Sequence, residues 1–216
     1  MPKHATPSQR INQESAKEKR ALEALACIGV IGGLQLSRLF SLDKKRKKKM
    51  TAEKKLVRHN MKKNNRVIPV YTLGVNGAAV AGVPGYQNNY WLKYKVEEVL
   101  KRLLFFQLYE YFPDSRIFPA SEPFVGSVFV QNNPIYIYVL KGDIQDLMMY
   151  LKWKAFDGRI IIITESLSYL HLLELWEDLK VRAVLEHELR NSRIEEIFYI
   201  RSLEGIWRKE KVVSLP

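Results

Sequence analysis

Apolar residues near the start of the chain recur at helical spacing, three and four positions apart. The pattern predicts a helix from about Glu14 that ends at Gly32-Gly33. Its apolar face consists of Ala21, Leu22, Leu25, Ala26 and Gly29. A short second helix is predicted over residues 34–40. Residues 1–13 are polar and include two prolines, so we interpret them as a mobile arm.

A third helix is predicted over residues 51–63, with Thr51 as a suitable N-cap. Its core-facing positions would be Ala52, Leu56 and Met61. Its outward stripe, with one basic residue every fourth position, would be Lys54, Arg58 and Lys62. A strand interrupted at Pro69 follows over residues 67–73. Three helices followed by a strand is the order of a winged helix, although residues 64–73 leave too little chain for two full strands and a long wing.

The pattern beyond residue 86 alternates between helices and strands. The predicted helices span residues 90–109, 143–154 and 167–179. The predicted strands span residues 126–130, 135–140 and 159–164, with two short ones near 182–185 and 196–200. Gln131-Asn-Asn-Pro134 joins the first two strands as a hairpin. We therefore predict an α+β or α/β protein with an arm (1–13), a winged-helix-like domain (14–85) and an α/β domain (86–216).

Charge separates these parts of the chain. Of the 35 Lys and Arg residues, 18 lie within residues 1–70, where only 5 Asp and Glu occur, a balance of +13. The remainder has 17 basic and 18 acidic residues, a balance of −1. Such segregation indicates a module that binds a polyanion. Double-stranded DNA is the partner we expect, and an anionic membrane surface or a ribosome is the alternative.

No membrane span is expected, because the longest apolar stretch, residues 24–34, is far shorter than the roughly 20 residues that cross a bilayer. The single cysteine, Cys27, cannot form an internal disulfide, which fits a reducing cytoplasm. The four histidines lack metal-ligand spacing, and the chain has no phosphate-binding glycine loop. We therefore expect no metal and no cofactor.

The third predicted helix is the candidate for recognising DNA, since an outward cationic stripe on such a helix suits the major groove. The run of six basic residues before it would bind phosphates without distinguishing base sequences. Arg58 is the residue best suited to a base edge. The solvated helix face and a flexible basic loop are the alternatives. The candidate DNA-binding residues are Lys44, Lys45, Arg46, Lys47, Lys48, Lys49, Lys54, Lys55, Arg58, His59 and Lys62.

Two stretches of residues 20–82 suggest a family. Leu34-Gln-Leu-Ser-Arg-Leu-Phe40 and Tyr71-Thr-Leu-Gly-Val-Asn-Gly77 resemble the winged helix of the replication-relaxation family of bacterial plasmids and mobile elements. Glu122-Pro-Phe-Val125 and Ile135-Tyr-Ile-Tyr-Val-Leu-Lys-Gly142 are similar to the same family's downstream domain. The resemblance implies a fold like that of restriction endonucleases and a role in replication, relaxation or mobilisation, with a relaxase or replication initiator as partner.

The chain departs from that family at the catalytic acids. Phe124, Tyr138 and Leu140 stand where the acids would be, and Lys141 alone remains. No carboxylate pair is left to hold a catalytic metal ion, so we expect a catalytically degenerate domain and no enzyme. The alternatives are a metal-dependent nuclease with an unorthodox site that includes Asp114 and Lys141, and a transcriptional regulator. Large apolar residues at 105–112 and 136–140 suggest a homodimer.

Overall fold

The computed structural model describes residues 7–63, 65–176, 178–190, 192–202 and 205–210, with side chains from residue 16 onward except at 174. The protein mixes helices with two β-sheets and divides into two compact units, Met1–Leu103 (unit 1) and Leu104–Pro216 (unit 2). This agrees with the predicted mixture of helix and sheet.

Unit 1 combines helices with a small antiparallel sheet. Its elements are α1 (Pro7–Ile28), β1 (Ile31–Gly32), α2 (Gly33–Phe40), α3 (Lys44–Ala52), β2 (Leu56–Lys63), β3 (Arg66–Leu73) and α4 (Val75–Val80). The strand order in the sheet is β1-β3-β2. The core includes Leu22, Leu25 and Leu36, which are almost completely buried.

Helix α1 differs from its prediction at both ends. It begins at Pro7, so residues 7–13 of the predicted mobile arm are helical, while residues 1–6 lie outside the described residues. It ends before Gly29, whose φ of 95° lies in the left-handed region that glycine adopts readily. Gly29, rather than Gly32-Gly33, therefore terminates the helix. The predicted apolar face is otherwise buried apart from Ala26, which is exposed.

The predicted helix over residues 51–63 is wrong. Helix α3 lies earlier and contains the whole basic run, and residues 56–63 form strand β2. Between them the chain turns at Lys54, whose positive φ of 54° does not continue a helix. Strand β2 pairs with β3 from Leu56 opposite Leu73 to Lys63 opposite Arg66. Tertiary pairing thus overrides a helical pattern that the same residues also satisfy.

The β2–β3 hairpin is longer than the sequence suggested. Each strand has eight residues, and only positions 64 and 65 separate them. Asn65 has a φ of 58°, as expected in the two-residue turns that match the twist of a hairpin. Residues 64–73 indeed hold only one full strand, and the hairpin is nevertheless long because β2 is formed by residues 56–63, for which the pattern predicts a helix.

The division between the units falls at Leu103, beyond the boundary predicted after residue 85. Side chains from the intervening segment are tied to unit 1. The Tyr86 hydroxyl donates to the Leu73 carbonyl (2.7 Å), and the Tyr90 hydroxyl donates to the Gly29 carbonyl (2.7 Å). Arg102 Nε donates to the Ile28 carbonyl (2.9 Å). These bonds explain why residues 86–103 belong with the first unit.

The predicted helix over residues 90–109 is interrupted. A short 3-10 helix covers Tyr90–Lys93, and helix α5 then runs from Val96 to Tyr109 across the division between the units.

Unit 2 is built on a seven-stranded sheet. Its further elements are β4 (Arg116–Phe118), β5 (Gly126–Val130), β6 (Asn133–Val139), α6 (Gln145–Trp153), β7 (Arg159–Thr164), β8 (Lys180–Leu185), β9 (Phe198–Arg201) and β10 (Trp207–Lys209). The strand order is β10-β9-β8-β7-β6-β5-β4. The central strands β6, β7 and β8 are parallel, and the outer pairs are antiparallel.

Several predicted elements of unit 2 are confirmed. Strands β5 and β6 form the expected hairpin, with positive φ at Gln131 and Asn132, and β7 covers residues 159–164 as predicted. The predicted helix over residues 167–179 is a 3-10 helix at Leu167–Leu175. Residues 105, 106, 108, 109 and 137–140 are buried within the protein, so the apolar surplus that suggested a dimer is largely core.

Candidate nucleic-acid interface

Helices α2 and α3 are joined by a three-residue turn. Ser41 ends α2 in the left-handed conformation (φ 54°), and Leu42 anchors the turn by being buried. The Asp43 carboxylate then caps α3 by accepting a hydrogen bond from the Arg46 backbone N–H (2.6 Å). Six consecutive basic residues can start helix α3 because an acidic residue caps its first turn.

The inner side of α3 packs against the rest of unit 1. Met50 is completely buried. Lys47 Nζ donates to the Gly33 carbonyl and to the Ser37 hydroxyl, both at 2.7 Å. Burial lowers the pKa of Lys47, and the nearby Asp43 carboxylate opposes that shift. Lys47 is therefore a structural residue that ties α3 to α2, and not a free cation.

A buried carboxylate on α1 is shared by two further basic residues. Glu18 is only 5% exposed and forms ion pairs with Arg46 Nε and with Lys55 Nζ, the latter at 3.2 Å. Lys55 also pairs with Glu53 at 2.7 Å, and this hydrogen bond is the main reason that the pKa of Lys55 is raised. Arg46 and Lys55 thus hold α1, α3 and the start of β2 together.

The outer side of α3 carries the remaining lysines of the run. This lysine face consists of Lys44, Lys45, Lys48 and Lys49, all exposed. Lys49 lies 3.7 Å from Glu53, whereas the other three make no ion pair within the described residues.

The lysine face is electrostatically unfavourable in the absence of an anion. Its first two members lie in the first helical turn, where the helix dipole disfavours cations. Like charges also recur four residues apart, as in Lys44 with Lys48 and Lys45 with Lys49. Each effect costs a few tenths of a kcal/mol. A bound polyanion would relieve both.

The β2–β3 hairpin presents a second group of exposed cations. Arg58 and Lys62 lie on the same side of β2, since residues of equal parity share a face of a strand. At the end of the hairpin, Lys63 lies directly opposite Arg66, and both are exposed. Like charges opposite each other destabilise a strand pair. We name Lys62, Lys63 and Arg66 the hairpin tip.

The other two predicted binding residues differ from these cations. His59 is half-buried, packs against Trp91 with the ring planes tilted by 49° (4.1 Å between ring centroids) and forms a hydrogen bond with Thr72 Oγ1 at 2.9 Å. Burial lowers the pKa of His59, so it is mostly neutral at neutral pH. Lys54 is exposed but lies in the turn between α3 and β2.

The structure therefore groups the predicted binding residues differently from the sequence pattern. The helical stripe of Lys54, Arg58 and Lys62 does not exist, because only the last two share an element. Lys63 and Arg66 were not among the predicted residues. The adjacent asparagines at 64 and 65 were the sequence signal for a hairpin turn that could have revealed them.

Unit 2 has apolar packing where the resemblance would place catalytic acids. Phe124, Tyr138 and Leu140 are at most 4% exposed and belong to one core cluster. The Tyr138 hydroxyl donates to Asp146 Oδ1 at 2.5 Å.

Lys141, which seemed isolated in the sequence, pairs with Glu165 at 2.7 Å and with Glu186. Burial opposes its charge, yet these two hydrogen bonds raise the pKa of Lys141 overall. The three residues follow the parallel strands β6, β7 and β8. Among the described residues, no cluster of three or more His, Cys, Asp or Glu side chains is arranged to hold a metal ion.

Comparisons with models of protein families, with curated proteins and with solved structures find no match to this chain. Within the described residues, no helix combines the length and apolar character needed to cross a bilayer.

Proposed function

We propose that unit 1 is a winged helix that binds double-stranded DNA through the lysine face and the hairpin tip. The observation that carries this proposal is the position of the lysine face on the second helix of a pair joined by a three-residue turn. In helix-turn-helix proteins that second helix enters the major groove. Helix α3 is the helix that meets the duplex in this interpretation, and the β2–β3 hairpin is the wing.

The chain order supports the proposal. A helix, a short strand, two helices and a hairpin follow one another, and the short strand pairs with the second hairpin strand. Helix α3 and the hairpin each present four exposed basic residues, which are Lys44, Lys45, Lys48 and Lys49 on α3 and Arg58, Lys62, Lys63 and Arg66 on the hairpin. Of these cations, all but Lys49 lack an acidic partner among the described residues, and phosphates spaced along a duplex would neutralise them.

The proposal is tested by titrating the full chain against a short fluorescent duplex of arbitrary sequence and following anisotropy. We expect the logarithm of the association constant to fall linearly with the logarithm of the salt concentration. The slope should be about −3 to −7, which corresponds to roughly three to eight phosphate contacts. Flotation with vesicles of phosphatidylserine and phosphatidylcholine is the parallel assay. Vesicle binding without duplex binding at about 50 mM salt would overturn the proposal.

We further propose that unit 2 has a nuclease-like fold that has lost catalysis and serves for contacts. The order helix, three antiparallel strands, helix and parallel strand in α5, β4 to β6, α6 and β7 supports the resemblance to restriction endonucleases. The role would be that of an accessory or regulatory protein in replication, relaxation or mobilisation of a plasmid or mobile element. A relaxase or replication initiator would be its partner.

The purified protein should not cleave plasmid DNA in magnesium or manganese, as judged by conversion of supercoiled to nicked or linear plasmid. Metal-assisted hydrolysis needs carboxylates to place the ion, and the positions of Phe124, Tyr138 and Leu140 lie in an apolar core. The variant Asp114→Ala is the control. Cleavage that this variant abolishes would favour the nuclease alternative.

A further inference from the structure

We infer that α3 holds duplex DNA by its phosphates and reads no base sequence. This inference rests on the proposed function and deepens it by defining the substrate class as duplex DNA of any sequence at this helix. It follows from which side chains the helix presents and which it keeps for its own packing.

Reading a base edge in the major groove favours side chains with paired or planar donors and acceptors. Arginine forms two bonds to guanine, and asparagine or glutamine forms two bonds to adenine. The lysine face offers none of these, because it consists of ammonium groups alone. A lysine ammonium can meet guanine, but as a flexible point charge it binds a phosphate equally well, and phosphates occur at every step.

The one arginine of α3 is committed inside the protein. Arg46 pairs through Nε with Glu18, whose side chain is 7% exposed. Releasing the guanidinium toward a base would leave this buried carboxylate with Lys55 alone. Loss of a partner from a buried ion pair is strongly unfavourable. The guanidinium of Arg46, the group best suited to recognise guanine, therefore attaches α3 to α1.

The remaining hydrogen-bonding side chain of α3 is also occupied. Thr51 is half-buried, and its hydroxyl donates to the Lys47 carbonyl at 2.9 Å within the same helix. The helix N-terminus is capped by Asp43, whose carboxylate accepts from the Arg46 N–H. No side chain of α3 is thus left with both exposure and the geometry for base discrimination.

The test is selection from a random-sequence duplex pool with the full chain, followed by anisotropy on the most enriched duplex and a scrambled one. The variants are Lys44→Gln/Lys45→Gln/Lys48→Gln, for the lysine face, and Arg58→Gln, for the exposed arginine of the hairpin. We expect the triple substitution to weaken binding to both duplexes by the same factor. The ratio of the two affinities should therefore change less than about threefold.

Three results separate the possible failures. A motif bound at least about tenfold more tightly than its scrambled form, whose preference the triple variant removes, would overturn the inference while leaving the proposed function intact. A motif whose preference survives in the triple variant and is lost in Arg58→Gln supports the inference, because readout then lies on the hairpin. Absence of binding to every duplex would overturn the proposed function and the inference together.

Discussion

Changing Lys44, Lys45 and Lys48 together to glutamine should weaken duplex binding by about two orders of magnitude at physiological salt. Each lysine is exposed, and none has an acidic partner within the described residues. Losing three phosphate contacts should also make the logarithmic salt slope shallower by about 2.7. Anisotropy over a salt series measures both quantities.

The same triple variant should be at least as stable as the parent. Glutamine and lysine have similar helix propensities, and removing cations from the first turn relieves their unfavourable interaction with the helix dipole. Thermal unfolding should therefore give an unchanged or slightly raised midpoint. Reduced binding together with undiminished stability is a combination that misfolding cannot produce.

The matched control removes three exposed lysines from unit 2. The variant Lys152→Gln/Lys154→Gln/Lys180→Gln has the same change in net charge, and all three positions are exposed. We expect it to bind duplex DNA nearly as tightly as the parent. If both triple variants lost affinity equally, binding would depend on net charge and the lysine face would have no special role.

Replacing Gly77 by alanine should destabilise the protein by about 3 kcal/mol or more, because the new methyl group meets backbone. A Cβ at this position would lie 2.0 Å from the Lys55 carbonyl oxygen. The Lys55 oxygen already accepts a hydrogen bond from the Gly74 N–H at 2.9 Å, and the Lys54 oxygen accepts one from Asn76. The turn between α3 and β2 is thus fixed against the start of α4 and cannot move aside easily.

This effect is measured by urea unfolding of the Gly77→Ala variant, with the Ala79→Ser variant as the control. Ala79 lies on the same helix but is exposed, so its substitution should change the free energy of unfolding by less than about 0.5 kcal/mol. Equal stability of Gly77→Ala and the parent would show that the turn can adjust. It would also remove the physical reason for a glycine at the end of the Tyr71–Gly77 motif.

Elements with one strong local signal could be predicted from the sequence. The isoleucines of β7 form a short apolar run, and the β5–β6 hairpin has a turn of Gln131 and Asn132 between two apolar strands. The apolar face of α1 also follows directly from residue spacing. In each case local preference and tertiary packing favour the same structure.

The region from α3 to β3 could not be predicted in the same way. Residues 51–63 satisfy a helical pattern, and only pairing with β3 makes Leu56–Lys63 a strand. Helix α3 is tied to α1 by Glu18, a residue distant in the sequence whose ion pairs with Arg46 and Lys55 are visible only in three dimensions.

The candidate site was therefore predicted by composition rather than by geometry. The excess of positive charge in residues 1–70 indicates the part of the chain that contains the lysine face and the hairpin tip, but it could not separate outward from inward cations. Arg46, Lys47 and Lys55 serve the fold, whereas Lys63 and Arg66 join the exposed set because of the hairpin register.

Lysine acetylation with and without duplex DNA, mapped by mass spectrometry of the full chain, is the measurement that bears on the proposed DNA-binding surface. We expect saturating duplex to protect the lysine face, together with Lys62 and Lys63, from the reagent. The exposed lysines of unit 2 at positions 152, 154 and 180 should react equally in both samples. Equal labelling of the lysine face with and without bound duplex, or protection confined to unit 2, would show that the duplex does not bind at the lysine face.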